Sequence, residues 1–401
     1  MNWNETKLKE YCKVVSGYAF KSDDFVEKGI PVLKIANISD YSTKFTSDDS
    51  FIPENKVDNY EEFVLKEKDI VIALSGNTTC KMGRVNNLFS PSLLNQRVGH
   101  FRILDEESLD ENYLYFLMIS DTVQKRLWNK ATATGQPNLS PSDITKLNVN
   151  LPPKPEQQKI AAILTIVDDA IQAVKNTIEK AERLKKALMQ NLLTGKLKPD
   201  GTWRRDDEFY EDEKFGKVPV GWEVLKIKEI LKLKNGKGNT TNNLKTEMDH
   251  EYCIPVYGGN GITGYYYLPF LKKSTLIIGR VGEYCGAVYK TPELCWVTDN
   301  ALYVSEFLID NYDMDFLKNL LIKANLNHYS DSTGQPKITQ SGIGNIRVIL
   351  PSDKSEQFEI ATKINLVENM INLKKTKIQK LERLKKALMQ NLLTGKVRVK
   401  V

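Results

Sequence analysis

Only three histidines, His100, His250 and His328, occur in the 401 residues, and none stands in a motif beside a serine or cysteine that could act as a nucleophile. There is no H-E-x-x-H pair, which excludes the usual zinc-hydrolase helix. The five cysteines, Cys12, Cys80, Cys253, Cys285 and Cys295, are odd in number, scattered and never in C-x-x-C spacing. That pattern fits reduced structural thiols better than a disulfide frame or a zinc site. No run approaches the ~18 uninterrupted apolar residues of a membrane span, and the start MNWNETKLKEYCK lacks the apolar core of a signal peptide. A cytoplasmic protein without membrane contact is expected. Neither charge sign dominates: 57 Lys and Arg against 51 Asp and Glu leave a formal +6. Such a mildly basic balance permits nucleic-acid binding without requiring it.

With 41% hydrophobic and 27% charged residues, the composition is that of an ordinary globular chain. Its length exceeds the ~250 to 300 residues at which single cores stop growing, so at least two domains are expected. An internal repeat supplies them. ERLKKALMQNLLTGK at 182–196 returns unchanged at 382–396, and TGQP at 134–137 returns at 333–336. Each TGQP precedes a strand-like run (KLNVNLP, NIRVILP) and then Glu156-Gln157 or Glu356-Gln357.

After Glu-Gln both copies turn helical. Ile160, Leu164, Val167, Ile171, Val174, Ile178 and Ala181 fall at alternating three and four spacing, matched by Ile360, Ile364, Val367, Ile371, Lys374, Ile378 and Leu381. This is a coiled-coil seam. Each helix is expected to start near Pro155 or Ser355 and to stop at Gly195 or Gly395. About 39 residues at 1.5 Å each give a rod of roughly 58 Å. Lys374, where the first copy has Val174, either fixes register or faces solvent. The stretches before each TGQP are rich in short strands: IPVLKIANI, DIVIALSGN and VGHFRIL, then EYCIPVYGGNG, STLIIGRVG and LYVSEFLI. The expected fold class is α+β: two β-rich domains, each followed by a long helix, the helices pairing as an antiparallel coiled coil. The boundaries read as a domain at 1–151, a helix at 152–196, an exposed polar linker at 197–216, a domain at 217–350, a helix at 351–396 and a tail at 397–401.

Two antiparallel rods that each carry a globular domain make a pseudo-twofold object, and duplex DNA has an approximate twofold of its own. The layout, with TGQPNLSPSDITKLNVNLPPKPEQQKIAAIL and ERLKKALMQNLLTGK, resembles the specificity subunit of type I restriction-modification enzymes over essentially the whole chain. That resemblance implies two target recognition domains, one for each half of a split double-stranded DNA site. It also implies that the helices dock two methyltransferase subunits, to which restriction (nuclease-translocase) subunits are added. S-adenosylmethionine, ATP and magnesium would then belong to those partners, with no cofactor on this chain. The rival is a free-standing DNA methyltransferase with built-in recognition domains.

Catalytic motifs are not found. GNGITG at 259–264 matches a dinucleotide fingerprint by letter, but YYYLPF follows it and no helix opens there, so a β-hairpin turn is expected. NGKGNTT at 235–241 lacks P-loop spacing. Base edges are read by Arg, Lys, Asn and Gln on loops, while Ser, Thr and glycine amides settle on phosphate. Candidates in the first domain are Ser75, Asn77, Thr78, Lys81 and Arg84, with Asn95, Gln96 and Arg97. In the second they are Tyr257, Asn260, Tyr265, Arg280, Glu283, Thr298, Asp299 and Asn300, and Gln136 and Gln335 of TGQP complete the set. The competing role for each is a turn or cap. For partner docking the candidates are Glu182, Arg183, Lys185 and Lys186 with Glu382, Arg383, Lys385 and Lys386, on the expectation that they lie mostly off the seam.

Overall fold

The structure, a computed structural model, describes residues 3–39, 41–46, 48–133, 135–238, 243–330 and 336–400. It divides into two compact units, residues 1–174 with 377–401, and residues 175–376. Both long helices run 39 residues, Lys154–Leu192 and Lys354–Leu392. Each ends before a glycine in the left-handed region, Gly195 at φ +68° and Gly395 at +71°, a conformation that favours glycine at a helix C-terminus.

In the first unit a six-stranded sheet orders Cys12–Ser16, Val98–Ile103, Ile70–Ala73, Met82–Arg84, Tyr41–Thr43 and Ile38–Ser39. A four-stranded sheet adds Phe51–Ile52, Ile30–Leu33, Ser92–Leu94 and Val64–Leu65. The entering strand Asn4–Lys7 pairs antiparallel with the leaving strand Asn148–Leu151, closing the domain where the first rod begins. Its core joins Leu8, Ile72, Tyr113 and Phe116 to Ile160 and Leu164 of the first rod and to Leu392 and Leu393 of the second, with Leu388 packed against them. The start of one rod therefore lies beside the end of the other, and the rods run antiparallel. Leu384, four residues before Leu388, stays outside this contact and is 48% exposed. Continuing the seam's three-four spacing from Leu381 lands on Lys385 and then Leu388, so Leu384 points away.

The second unit repeats the plan. Leu231–Asn235, Ala301–Phe307, Leu276–Gly279 and Val288–Lys290 form one sheet, and Gly261–Tyr266, Ile254–Gly258 and Trp296–Val297 another. Trp222–Lys226 pairs antiparallel with Arg347–Pro351, as the entering and leaving strands do in the first unit. The seam residues Ile360, Ile364, Val367 and Ile371 are buried, as are Ile160 through Ala181 of the first rod, whereas Lys374, Ile378 and Leu381 are only half-buried. The 197–216 segment, mostly exposed, is also tied into the second unit. Its end enters a hairpin, Phe209–Asp212 against Gly216–Pro219, and Arg204 donates 2.6 Å to the carbonyl of Gly195 and pairs with Glu356.

The two Glu-Gln pairs join each rod to its domain. Gln157, wholly buried, accepts from Asp110 N at 2.9 Å and donates to the carbonyls of Ser108 and Pro152. Gln357 does the same with Asp313 N at 2.8 Å and the carbonyls of Asn311 and Pro351. Glu156 takes Arg398 bidentately, 2.7 Å to each oxygen, and Trp3 Nε1 at 3.4 Å; Glu356 takes Arg204 and Trp222 Nε1. Hydrogen bonds from Arg398 hold the Glu156 carboxyl below its ordinary pKa although burial opposes them.

Candidate nucleic-acid interface

Both domains build the same loop between two antiparallel strands. In the first, Thr79 N donates to Gly76 O at 3.0 Å and Cys80 N to Ala73 O at 2.9 Å; in the second, Cys285 N donates to Gly282 O at 3.0 Å and Gly286 N to Gly279 O at 2.8 Å. Gly76 and Gly282 share a φ near +80° (+82° and +83°), and Cys80 at +70° holds the place of Gly286 at +88°. The backbones match, while the tips read Asn77-Thr78 in one domain and Glu283-Tyr284 in the other. Asn77, Glu283 and Tyr284 are exposed.

Other candidate segments gather around each loop through backbone hydrogen bonds. In the first domain Leu74 N donates to Arg97 O, Val98 N to Asn95 O, Tyr18 N to Leu94 O and Leu139 N to Leu74 O, all at 2.8–2.9 Å. In the second, Arg280 N donates to Asn300 O, Ala301 N to Thr298 O, Lys237 N to Val297 O and Ile338 N to Arg280 O, at 2.9–3.1 Å. Ser75, Asn77 and Thr78 thus come together with Asn95, Gln96 and Arg97, and Arg280 and Glu283 with Thr298, Asp299 and Asn300. Thr79 Oγ1 donates 3.3 Å to Pro137 O, bringing Pro137 and exposed Gln136 to the same edge. Lys81 is exposed on the strand side of its loop. Asn260 is exposed at the turn of the 254–266 hairpin, where Gly258 pairs with Gly261; GNGITG is this turn. Gln335 lies outside the described residues.

Several candidates are placed otherwise. Arg84 does not face outward: its guanidinium lies 4.1 Å from the Tyr115 ring centroid, donates 2.9 Å to Asn112, and is pushed below its ordinary pKa by burial. Tyr257 and Thr298 are buried, the Thr298 hydroxyl with no hydrogen-bond partner among the described residues, and Tyr265 sits mid-strand opposite Pro255. Tyr18 and Lys237, both exposed, join the two edges although the sequence reading passed over them. A signal existed. Trp3 and Trp222 each open a similar run, and Gly17 and Gly236 stand in the same register behind them. A Cβ on either glycine would fall 2.0 Å from a carbonyl, of Leu94 or Thr298, so only glycine lets the backbones approach.

The duplicated block is also not wholly outward. Lys385 Nζ is 2.6 Å from Asp168, and Lys185 Nζ is 3.2 Å from Glu368, whose other oxygen takes Lys318 at 3.2 Å. Burial works against ionisation of Glu368, yet Lys318 and Lys185 hold its pKa below the ordinary value. Lys185 and Lys385 occupy the seam phase and are half-buried, contrary to the expected placement. Glu182, Arg183, Lys186, Glu382, Arg383 and Lys386 are exposed, with Glu182 pairing to Lys375 and Lys386 to Asp121. Among the described residues no group of His, Cys, Asp or Glu could hold a metal ion, and no helix is long and apolar enough to cross a membrane.

The family profile described as the type I restriction modification DNA specificity domain matches residues 1–183 and 219–383. The chain belongs to this family. Over 200 residues this specificity-family chain is 34% identical to the MjaVIII specificity subunit of Methanocaldococcus jannaschii, a match covering 49% of this chain and 47% of that subunit. It therefore spans about half the length of that relative. Across its whole length it is 23% identical to the putative MjaX specificity subunit of the same organism, covering 94% of it. The fold is similar to the type I S subunit of M. genitalium, with a TM-score of 0.66 at 17% identity over 98% of this chain and 96% of that one. A chain solved in work on assembly and conformational transition of the type I system gives 0.52 at 15% identity, over 99% and 98%.

Proposed function

We propose that the chain reads a bipartite DNA target, one domain per half-site, and carries methyltransferase subunits on its rods. The observation that carries this reading is the shared loop scaffold: the same backbone segments converge in each domain and present different tips, exposed Asn77 beside half-buried Thr78 against exposed Glu283 and Tyr284. One scaffold with two sets of tips suits one kind of task on two sequences. Docking is supported by the repeated block, where Leu184 and Leu384 are each 48% exposed amid exposed Arg183, Lys186, Arg383 and Lys386. An exposed leucine retained twice offers two copies of one partner the same apolar anchor.

Methyl transfer and cleavage belong to the partners in this reading, with S-adenosylmethionine on the methyltransferase subunits and ATP and magnesium on the restriction subunits. The free-standing methyltransferase is not favoured, since the one glycine-rich match to a cofactor loop is a hairpin turn. Selection from random-sequence duplexes by the assembled complex tests the proposal. Enrichment of two defined blocks around an unspecified spacer supports it; a single continuous block, or no enrichment, contradicts it.

A further inference from the structure

The backbone correspondence of the two domains assigns each reading position a counterpart. Asn77 corresponds to Glu283 and Gln96 to Asp299, because each pair follows equivalent hydrogen-bonded neighbours: Gly76 and Gly282 at the loop, Asn95 and Thr298 at the turn. The first domain is neutral at both positions and the second is acidic at both. Glu283 and Asp299 are exposed, and among the described residues neither carboxylate makes a hydrogen bond or ion pair. They share their edge with Lys237, Arg280 and Lys337, whose ammonium and guanidinium groups suit phosphate.

An unpaired carboxylate on a face that approaches a polyanion costs binding free energy. One arrangement offsets the cost, a hydrogen bond accepted from an exocyclic amine in the major groove. Cytosine shows only its N4 amine there, whereas adenine places its N7 lone pair beside N6, where it repels a carboxylate and suits an amide. Resting on the half-site reading above, we infer that Glu283 is a specificity-determining residue that selects cytosine in the second half-site. Its counterpart Asn77 suits adenine in the first. Asp299 extends the acidic reading edge of the second domain.

The test is competition binding by the assembled complex, on its selected target and on scrambled duplex, for the full chain and for Glu283→Ala and Glu283→Gln. Glu283 lies at an exposed tip, and circular dichroism checks that both variants keep the fold. The expected result is opposite movement. Affinity for the target falls about 5-fold to 150-fold, while affinity for scrambled duplex rises, more so at low salt. Base preference changes at a single position of the second half-site, relaxing in Glu283→Ala and turning toward adenine in Glu283→Gln. If both affinities rise by the same factor, Glu283 faces phosphate and the inference is overturned while sequence recognition stands. If neither moves, Glu283 lies off the interface and the inference is again overturned. If the unaltered complex does not distinguish target from scrambled duplex, the half-site reading itself fails.

Discussion

The ammonium of Lys385 lies 2.6 Å from the carboxylate of Asp168, and 5.4 and 5.7 Å from the ring centroids of Tyr41 and Phe116. A lysine in a helix written twice thus ties the end of one rod to the start of the other and to the recognition domain beside them. Lys185 does the corresponding work through Glu368 and Lys318. Part of the identity between the two copies of ERLKKALMQNLLTGK therefore comes from fit inside the chain.

Charge reversal at Lys385 should lower stability by roughly 1–3 kcal/mol, because it leaves the half-buried Asp168 facing a like charge. Asp168→Lys in the same chain should restore part of the loss. Urea unfolding of the two single variants and the double variant measures the coupling; additive effects would remove the ion pair from the account.

Gln157 and Gln357 are each wholly buried with both amide ends used. Replacing either with leucine strands a backbone N–H and two carbonyls, at a cost of about 1–3 kcal/mol. Thermal unfolding reads it. A change within ~0.5 kcal/mol, as for an ordinary surface substitution, would mean that water satisfies those groups.

The rods were legible in the sequence because three-four spacing is a local signal that a long helix expresses directly. The loops were legible because Asn, Gln, Arg and Gly cluster where turns must be. Arg84 was misread since its partners, Tyr115 and Asn112, lie some thirty residues on, and no local pattern announces a stacked guanidinium. Lys185 and Lys385 were misread for another reason: a charge at a seam position is easily assigned to solvent, although the spacing itself points inward. The pairing of Trp3 with Glu156 and Trp222 with Glu356 depends on segments far apart in the chain. Only the repeated Trp register hinted at it.

Alkaline pH should weaken the first unit. Burial pushes the Cys12 thiol up to about 12 and the Cys80 thiol up to about 11, whereas unfolded thiols ionise near 8.5. Above about pH 8.5 the unfolded state releases protons that the folded state keeps, so the stabilisation is full below that pH and declines as pH rises toward the folded values. Cys12→Ala should show a flatter dependence of unfolding free energy on pH than the unaltered chain. An identical slope from about pH 8.5 to 10.5 would contradict this.

Docking is best probed at exposed positions, leaving the half-buried Lys185 and Lys385 intact. Reversing Arg183 and Lys186 should reduce a reconstituted complex from two methyltransferase subunits to one, and adding the reversal of Arg383 and Lys386 should abolish assembly. Native mass measurement gives the stoichiometry. Two subunits retained with both copies reversed would place the partners elsewhere.

Two domains on one scaffold should read two half-sites independently. Exchange of residues 217–350 for the corresponding domain of a relative with a different target, followed by sequencing of methylated bases in cells carrying the complete system, tests it most directly. The expected motif is a hybrid, with one half changed and the other retained. A motif altered in both halves, or in neither, would contradict it.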